Sequence, residues 1–169
     1  MNIDYSKLSG LPSPCYVVDE GLLERNLEIL GNVQERAGCS ILLAQKGFSM
    51  YSTYPRKAKV LKGVTSSSLF EARLGYEEMG KEVHIFAPAY IEEEFDEILR
   101  YCDHIVFNSF DQWNKYRGRV EAVTSKKVEC GIRVNPEYSE IETSIYDPCY
   151  RYSRLGVTLD NFRPDELEG

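Results

Sequence analysis

Residues 83–107, VHIFAPAYIEEEFDEILRYCDHIVF, decide the fold of this chain because they place two apolar segments on either side of one amphipathic segment. Branched and aromatic residues dominate both ends, VHIFA and DHIVF, as is typical of buried β-strands. Between them, the acidic run IEEEFDE suits the positive end of a helix dipole, and apolar residues then recur at helical spacing. The stretch therefore predicts a strand, a helix and a second strand.

The same unit recurs along the chain. Short apolar runs begin near Ser40, Lys62, Val83, Asp103 and Lys127, so successive strands start 22, 21, 20 and 24 residues apart. Strands that alternate with helices at this period indicate βα units. Their nearly uninterrupted apolar character predicts a parallel sheet that is covered by helices.

Capping residues and apolar stripes predict the helices. The pairs that mark helix ends are Asp19 with Gly38, Ser68 with Glu71, and Ser109 with Gln112. The helical residues predicted to face the core are Leu23, Leu27, Leu30, Leu69, Ala72, Tyr76, Met79, Phe95, Ile98, Leu99, Cys102, Trp113 and Tyr116.

Two α/β architectures can hold such units, an open doubly wound sheet and a (β/α)8 barrel. A nucleotide-binding open sheet usually has a glycine-rich turn, and neither G-x-G-x-x-G nor G-x-x-x-x-G-K-[ST] occurs in the chain. The barrel is therefore favoured, although about 250 residues are typical of a closed one and five units leave it open. We expect residues 1–14 to form an N-terminal extension and residues 15–169 a partial barrel.

Composition limits the range of functions. The chain has 20 lysines and arginines against 27 aspartates and glutamates, a formal charge of -7 and a pI of about 5.0. This balance argues against nucleic acid and anionic membranes as partners, because both require clustered cations. Since no apolar run reaches about 18 residues and no signal-peptide pattern opens the chain, we expect a cytoplasmic protein.

The cysteines and histidines predict neither a disulfide framework nor a metal site. The five cysteines are widely spaced and form no C-x-x-C pair, so we expect buried or half-buried free thiols. The two histidines, His84 and His104, each lie in an apolar stretch, and imidazole-based metal chemistry and Ser-His-Asp hydrolysis are set aside.

Lys46 is the first candidate for chemistry, because it follows the apolar strand ILLA directly after Gln45. Parallel α/β proteins keep their functional groups at the carboxyl ends of strands. A desolvated amine there could attack a carbonyl and form a Schiff base. The alternative, which is commoner for a lysine at a strand end, is a solvated loop residue.

Two more strand ends carry polar groups. Ser66 lies in the hydroxyl-rich segment 65–68, which could contact an anion or a cofactor, although helix capping alone explains part of it. Arg133 follows the fifth strand, where it could bind a carboxylate or phosphate, or pair with Glu137 or Glu140. The tyrosine-rich segment 137–154 that follows has no periodicity and is predicted to be a long loop that contacts either substrate or another subunit.

The opening PSPCYVVDEGLLERNLEIL resembles the start of the pyridoxal-phosphate-dependent fold-type III decarboxylases, in which a strand ending in the Schiff-base lysine follows. Further segments, SSLFEARLGYEEMGKEVHIFAPAY, FNSFDQW, RVNPEYSEIETSIYDPC and SRLGV, resemble the branch of this family that acts on carboxynorspermidine and carboxyspermidine. The resemblance extends from about Pro14 to the end of the chain. It is more specific than any single motif above.

The resemblance implies a cofactor, a reaction and site residues. Lys46 would form the Schiff base with pyridoxal 5'-phosphate, and Arg133 and Ser66 would line the cofactor pocket. The reaction would release carbon dioxide from a carboxylated polyamine to give norspermidine or spermidine, in a homodimer. The family's cofactor-stacking histidine, phosphate loop and C-terminal β domain would follow residue 169, so we expect little decarboxylase activity from this chain alone, and an oligomeric, partly unfolded or insoluble product.

Two alternatives remain open. The chain could be a non-catalytic, pyridoxal-phosphate-binding regulatory protein that keeps the half-barrel and its lysine. It could also be a fold-type III amino-acid decarboxylase or racemase, although the match through NPEYSEIETSIYDPC argues against a racemase.

Overall fold

The computed structural model describes residues 5–167, which form one five-stranded sheet with helices between the strands. The strands are β1 (Leu42–Ala44), β2 (Gly63–Ser66), β3 (Glu82–Phe86), β4 (His104–Phe107) and β5 (Glu129–Ile132). Each overlaps one of the five apolar runs, and β3 begins one residue before its run, so the predicted succession of strands is confirmed. The first four residues of the predicted extension lie outside the described residues, and its boundary at residue 14 stays a prediction.

Five α-helices accompany the strands: α1 (Glu20–Ala37), α2 (Tyr54–Lys57), α3 (Leu69–Leu74), α4 (Phe95–Tyr101) and α5 (Phe110–Glu121). The predicted caps are confirmed at α1, where the Asp19 carboxylate accepts from the Leu22 N–H and Gly38 adopts the left-handed conformation with φ 62°. Ser109 caps α5 in the same way, accepting from the Gln112 N–H at 3.1 Å.

The five strands are all parallel and lie in chain order, β1-β2-β3-β4-β5. Along β3 and β4, residues alternate between fully buried positions, such as Ile85 and Ile105, and half-buried ones, such as His84 and Val106. The buried set joins the apolar residues of the helices in one core cluster, so the helices cover one face of the sheet. Among residues 5–167 the sheet is unclosed, since β1 and β5 pair on one side only.

One predicted core position is wrong. Tyr76 is 51% exposed, although Ala72 and Met79 of the same predicted stripe are buried. The cause lies after α3, where residues Gly75–Met79 form a wider π-helical turn, which changes the residue spacing on the buried side. Gly75 packs so closely on β2 that a Cβ atom there would collide with the Val64 side chain.

The cysteines are free, and three of them are not buried as expected. Cys15, Cys39 and Cys130 are exposed, because they lie before α1, after α1 and on the edge strand β5, where no further element covers them. Among the described helices, none is both long enough and apolar enough to cross a membrane.

Candidate functional site at the carboxyl ends of the strands

Lys46 and Arg133 lie at the same edge of the sheet. Lys46 comes two residues after β1 and Arg133 directly follows β5, so the two residues follow the outermost strands at their carboxyl ends. Functional groups of parallel α/β proteins concentrate at this edge because neighbouring βα loops converge there. Since Ser66 is the last residue of β2, the structure brings all three predicted site residues to this end of the sheet.

The side chain of Lys46 is exposed, in a turn whose backbone is held by hydrogen bonds from the Gly47 and Phe48 N–H groups to the Ala44 carbonyl, 3.1 and 3.2 Å long. Of the two alternatives for this residue, its exposure agrees with the solvated loop position and not with a desolvated amine. The neighbouring Gln45, 1% exposed, takes the buried position instead. The amine of Lys46 is free to reach a ligand above the strand ends.

Gln45 organises a buried polar network that sequence reasoning did not identify. Its amide nitrogen donates to the Ser66 hydroxyl at 2.8 Å and to the Glu71 carbonyl at 2.7 Å, and its amide oxygen accepts from the Tyr54 hydroxyl at 3.0 Å. Burial, followed by the nearby Glu71 carboxylate, raises the pKa of Tyr54 to about 12, so the phenol remains a donor at neutral pH. The network joins β1, β2, α2 and α3 directly beneath the turn that carries Lys46.

Ser66 belongs to this network and is 2% exposed. Its hydroxyl contacts the amide of Gln45, which lies in the layer below the Lys46 turn. Within the hydroxyl-rich segment, Ser68 caps α3 by accepting from the Glu71 N–H at 3.3 Å, as the capping interpretation predicts. Ser66 thus lies beneath the Lys46 turn, which it supports through Gln45.

Arg133 is half-buried and lies over the Phe86 ring, with its guanidinium carbon 4.6 Å from the ring centroid. The ring holds the cation by a cation–π contact. No carboxylate lies within ion-pair distance of Arg133 among residues 5–167, and the predicted alternative pairing with Glu137 or Glu140 is not formed there. The guanidinium can therefore accept an anionic ligand at the strand ends.

Lys57 is a second feature that the sequence pattern PRKAK does not reveal. The residue is 3% exposed, its amine has no hydrogen-bond partner among residues 5–167, and it lies 3.4 Å from the centroid of the Phe48 ring. Burial lowers its pKa from the usual 10.5 to about 8. Lys57 lies on α2 beside the Lys46 turn, but its amine is enclosed, so it is not accessible to a ligand in this arrangement.

The segment after Arg133 is the predicted loop. It contains one short 3-10 turn, Ser144–Tyr146, and the chain returns at Val157, which forms an isolated parallel bridge with Val134. All four of its tyrosines are exposed, at 69%, 77%, 44% and 78% for Tyr138, Tyr146, Tyr150 and Tyr152. These rings are available for contact with a ligand or with another protein surface.

An all-parallel sheet with an exposed lysine and an unpaired arginine at its carboxyl edge has the architecture of α/β enzymes. No model of a known protein family matches the chain. Curated relatives do: a carboxyaminopropylagmatine decarboxylase from Synechocystis is 44% identical over 155 residues, and carboxynorspermidine/carboxyspermidine decarboxylases from Campylobacter jejuni and Herminiimonas arsenicoxydans are 38% and 36% identical. These alignments cover 92%, 93% and 86% of this chain.

A solved structure agrees with these relatives. The crystal structure of carboxynorspermidine decarboxylase from Campylobacter jejuni, complexed with norspermidine, superimposes with a TM-score of 0.79 at 36% identity and covers 91% of this chain. The resemblance predicted from the sequence is therefore confirmed. The chain spans about two-fifths of the length of these relatives, 39%, 40% and 39% of the curated proteins and 38% of the crystallised chain.

Proposed function

We propose that this chain is the N-terminal portion of a pyridoxal-phosphate-dependent decarboxylase that acts on carboxynorspermidine or carboxyspermidine, a carboxy-lyase of polyamine biosynthesis. The observation that carries the proposal is the match of nine-tenths of the chain to decarboxylases of this kind, in sequence and in fold. The exposed Lys46 and the unpaired Arg133 at the carboxyl edge agree with it, because such an enzyme needs an amine and an anion-binding cation there.

The sheet also supports the proposal of a partial (β/α)8 barrel of the alanine racemase-like type. A doubly wound sheet reverses its strand order at a switch point, whereas these five strands follow one another without reversal. Residues on the side away from the helices, such as His84 and Val106, are half-buried in the open sheet. Three further strands would enclose them in a barrel interior.

The residues present fit pyridoxal 5'-phosphate. The ε-amino group of Lys46 would hold the cofactor covalently, and the Arg133 guanidinium would bind an anionic group of the cofactor or the substrate. When bound, the cofactor supplies an electron sink, which accepts the electron pair of the carbon–carbon bond that breaks when carbon dioxide leaves. Gln45 and Ser66 fix the strand end from below, which limits the positions that the Lys46 amine can reach.

A polycationic substrate and a homodimeric enzyme are part of the same proposal. The acidic chain, with a charge of -7, does not repel a polyamine. The exposed tyrosines of residues 137–154 would contact the substrate or the second subunit.

Titration with pyridoxal 5'-phosphate tests the proposal. We expect an absorbance band of a lysine Schiff base in a protein that contains this chain, its loss in Lys46→Ala, and its retention in Lys59→Ala, which removes another exposed lysine. Addition of carboxynorspermidine should then change the band. A band that persists in Lys46→Ala, or that does not respond to the polyamine, would contradict the proposal.

A non-catalytic, cofactor-binding protein is the second candidate, because the cofactor residues and the fold could serve binding alone. Release of carbon dioxide from carboxynorspermidine by a protein that contains this chain separates the two. Cofactor binding without release would favour the second candidate.

A further inference from the structure

The two histidines of the chain lie side by side on the sheet, although 20 residues separate them in sequence. His84 of β3 and His104 of β4 are register partners in the parallel pairing. Their rings are stacked, with centroids 3.9 Å apart and planes inclined by 13°. They lie on the side of the sheet away from the helices, toward the amino ends of the strands and apart from the Lys46 edge.

A carboxylate completes the cluster. Glu82 is two residues before His84 on the same strand and therefore shares its face. Its Oε2 atom lies 3.3 Å from His84 Nε2 and 3.9 Å from His104 Nε2, and one ligand atom from each of the three side chains lies within 4.8 Å of the others. Two imidazoles and a carboxylate thus converge on one point.

The second oxygen of Glu82 is held separately. Lys62 Nζ lies 3.1 Å from Glu82 Oε1, so the lysine binds one oxygen while the other faces the rings. The Oε2 atom of Glu82 is therefore left facing both imidazole rings.

We propose that Glu82, His84 and His104 form a zinc-binding site, with water as a fourth ligand. Two histidines and one glutamate are an established ligand set for Zn²⁺ with an open position. Their side chains are 35%, 25% and 35% exposed in this chain, so an ion and its water can enter the cluster here. The cluster contains neither Lys46 nor Arg133, and in the proposed closed barrel it would lie on the interior face near the amino ends of the strands.

The cluster needs only a small rearrangement to close around an ion. Zinc bonds of about 2.0–2.1 Å in a tetrahedron place ligand atoms about 3.3–3.5 Å apart, close to the 3.3 Å between Glu82 and His84 in the structure. The two stacked rings have nearly parallel planes, inclined by 13°, so one ring must turn about its Cβ–Cγ bond for both rings to bind the same ion. This torsion has a broad energy profile, and the turn is therefore easy.

A nearby carboxylate provides a matched control. Glu129 of β5 is the register partner of His104, on the side away from His84. Lys127 Nζ holds its carboxylate at 2.6 Å, and Glu129 is not a member of the cluster. Substitution of Glu129 removes a negative charge next to His104, as substitution of Glu82 does, without removing a proposed ligand.

Calorimetric titration with ZnCl₂ on the 169-residue chain tests the site, with thiols blocked by N-ethylmaleimide because three cysteines are exposed. We expect one zinc ion per chain, a loss of affinity of at least about tenfold in Glu82→Gln and in His104→Gln, and a change below about twofold in Glu129→Gln. Circular dichroism without zinc identifies folded variants, and the nearly isosteric Glu82→Gln keeps the test valid if a histidine variant unfolds. Unchanged affinity in folded Glu82→Gln, or an equal loss in Glu129→Gln, would overturn the assignment.

A spectroscopic readout tests the ligands directly. Since the chain has two histidines, ¹⁵N spectra of its imidazoles contain only their signals. Zinc should shift a ring nitrogen of both residues in the thiol-blocked chain. Zinc binding that leaves both imidazole spectra unchanged would show that the rings are simply packed together and that the proposal is wrong.

Discussion

The amide nitrogen of Gln45 donates a 2.8 Å hydrogen bond to the hydroxyl of Ser66, which ties the residue before the candidate Schiff-base lysine to the neighbouring strand. Lys46 is exposed, but the turn that carries it rests on this buried contact. The position of the Lys46 amine therefore depends on two polar residues that a ligand need not touch.

Replacement of Gln45 by leucine should destabilise the fold. The change leaves the Tyr54 and Ser66 hydroxyls without their Gln45 partner, and each unsatisfied buried group costs about 1–3 kcal/mol. We expect the free energy of unfolding, measured with urea, to fall by about 2–4 kcal/mol. The control Lys46→Leu at the adjacent exposed position should change it by less than about 0.5 kcal/mol. Equal effects of the two substitutions would refute the buried network.

Two glycine substitutions should have opposite effects. A Cβ atom at Gly75 would collide with the Val64 side chain, whereas at Gly118, in α5, no atom lies within 4 Å. Gly75→Ala should lower stability by about 1–3 kcal/mol through overpacking. Gly118→Ala should raise it by about 0.5–1 kcal/mol, because alanine favours helix. Thermal melts of both variants check this, and stabilisation by Gly75→Ala would show that the π-helical turn is not packed as described.

Lys57→Met should stabilise the chain by about 1–3 kcal/mol at pH 7, because it removes a buried amine that has no hydrogen-bond partner. The control Lys59→Met changes an exposed lysine two residues away and should have little effect.

The gain from Lys57→Met should depend on pH with a known sign. Burial lowers the pKa of Lys57 from 10.5 to about 8, so between these values the unfolded chain binds more protons than the folded one. The wild-type stability contributed by this group therefore rises with pH across that window. The difference between variant and wild type should be largest below pH 8 and shrink toward pH 10.5, as measured by urea unfolding at each pH. A difference that grows with pH would be inconsistent with a buried, protonatable amine.

Arg133→Met should weaken binding of pyridoxal 5'-phosphate about tenfold, or about 1.4 kcal/mol, because the guanidinium over Phe86 has no carboxylate partner and is free to bind an anion. Arg117 offers a matched control, since its guanidinium lies 5.9 Å from the Trp113 ring on the outer helix α5. Arg117→Met should leave the affinity, measured by fluorescence titration, unchanged. Equal losses would indicate a general effect of charge.

Strand positions and helix caps could be predicted from the sequence because local patterns determine them. Asp19 and Ser109 each cap a helix by accepting a hydrogen bond from the N–H three residues later, and apolar strands can be recognised from their composition. Burial of Gln45 could not be predicted in this way, since its partners come from β2, α2 and α3.

The histidine pair shows the same limit. His84 and His104 appear unrelated in sequence, and only the register of β3 with β4 brings their rings into contact. Imidazole-based metal chemistry was set aside because the chain has two histidines and each lies in an apolar stretch. A search for polar residues one βα period apart would have identified the pair.

Borohydride reduction after incubation with pyridoxal 5'-phosphate, followed by peptide mapping with mass spectrometry, tests the central claim that Lys46 is the Schiff-base lysine. Reduction fixes the cofactor on the lysine that holds it. We predict that the pyridoxyl label lies on Lys46 at one equivalent per chain and disappears in Lys46→Ala. A label spread over exposed lysines such as Lys59 and Lys62, or the same labelling in Lys46→Ala, would contradict the claim.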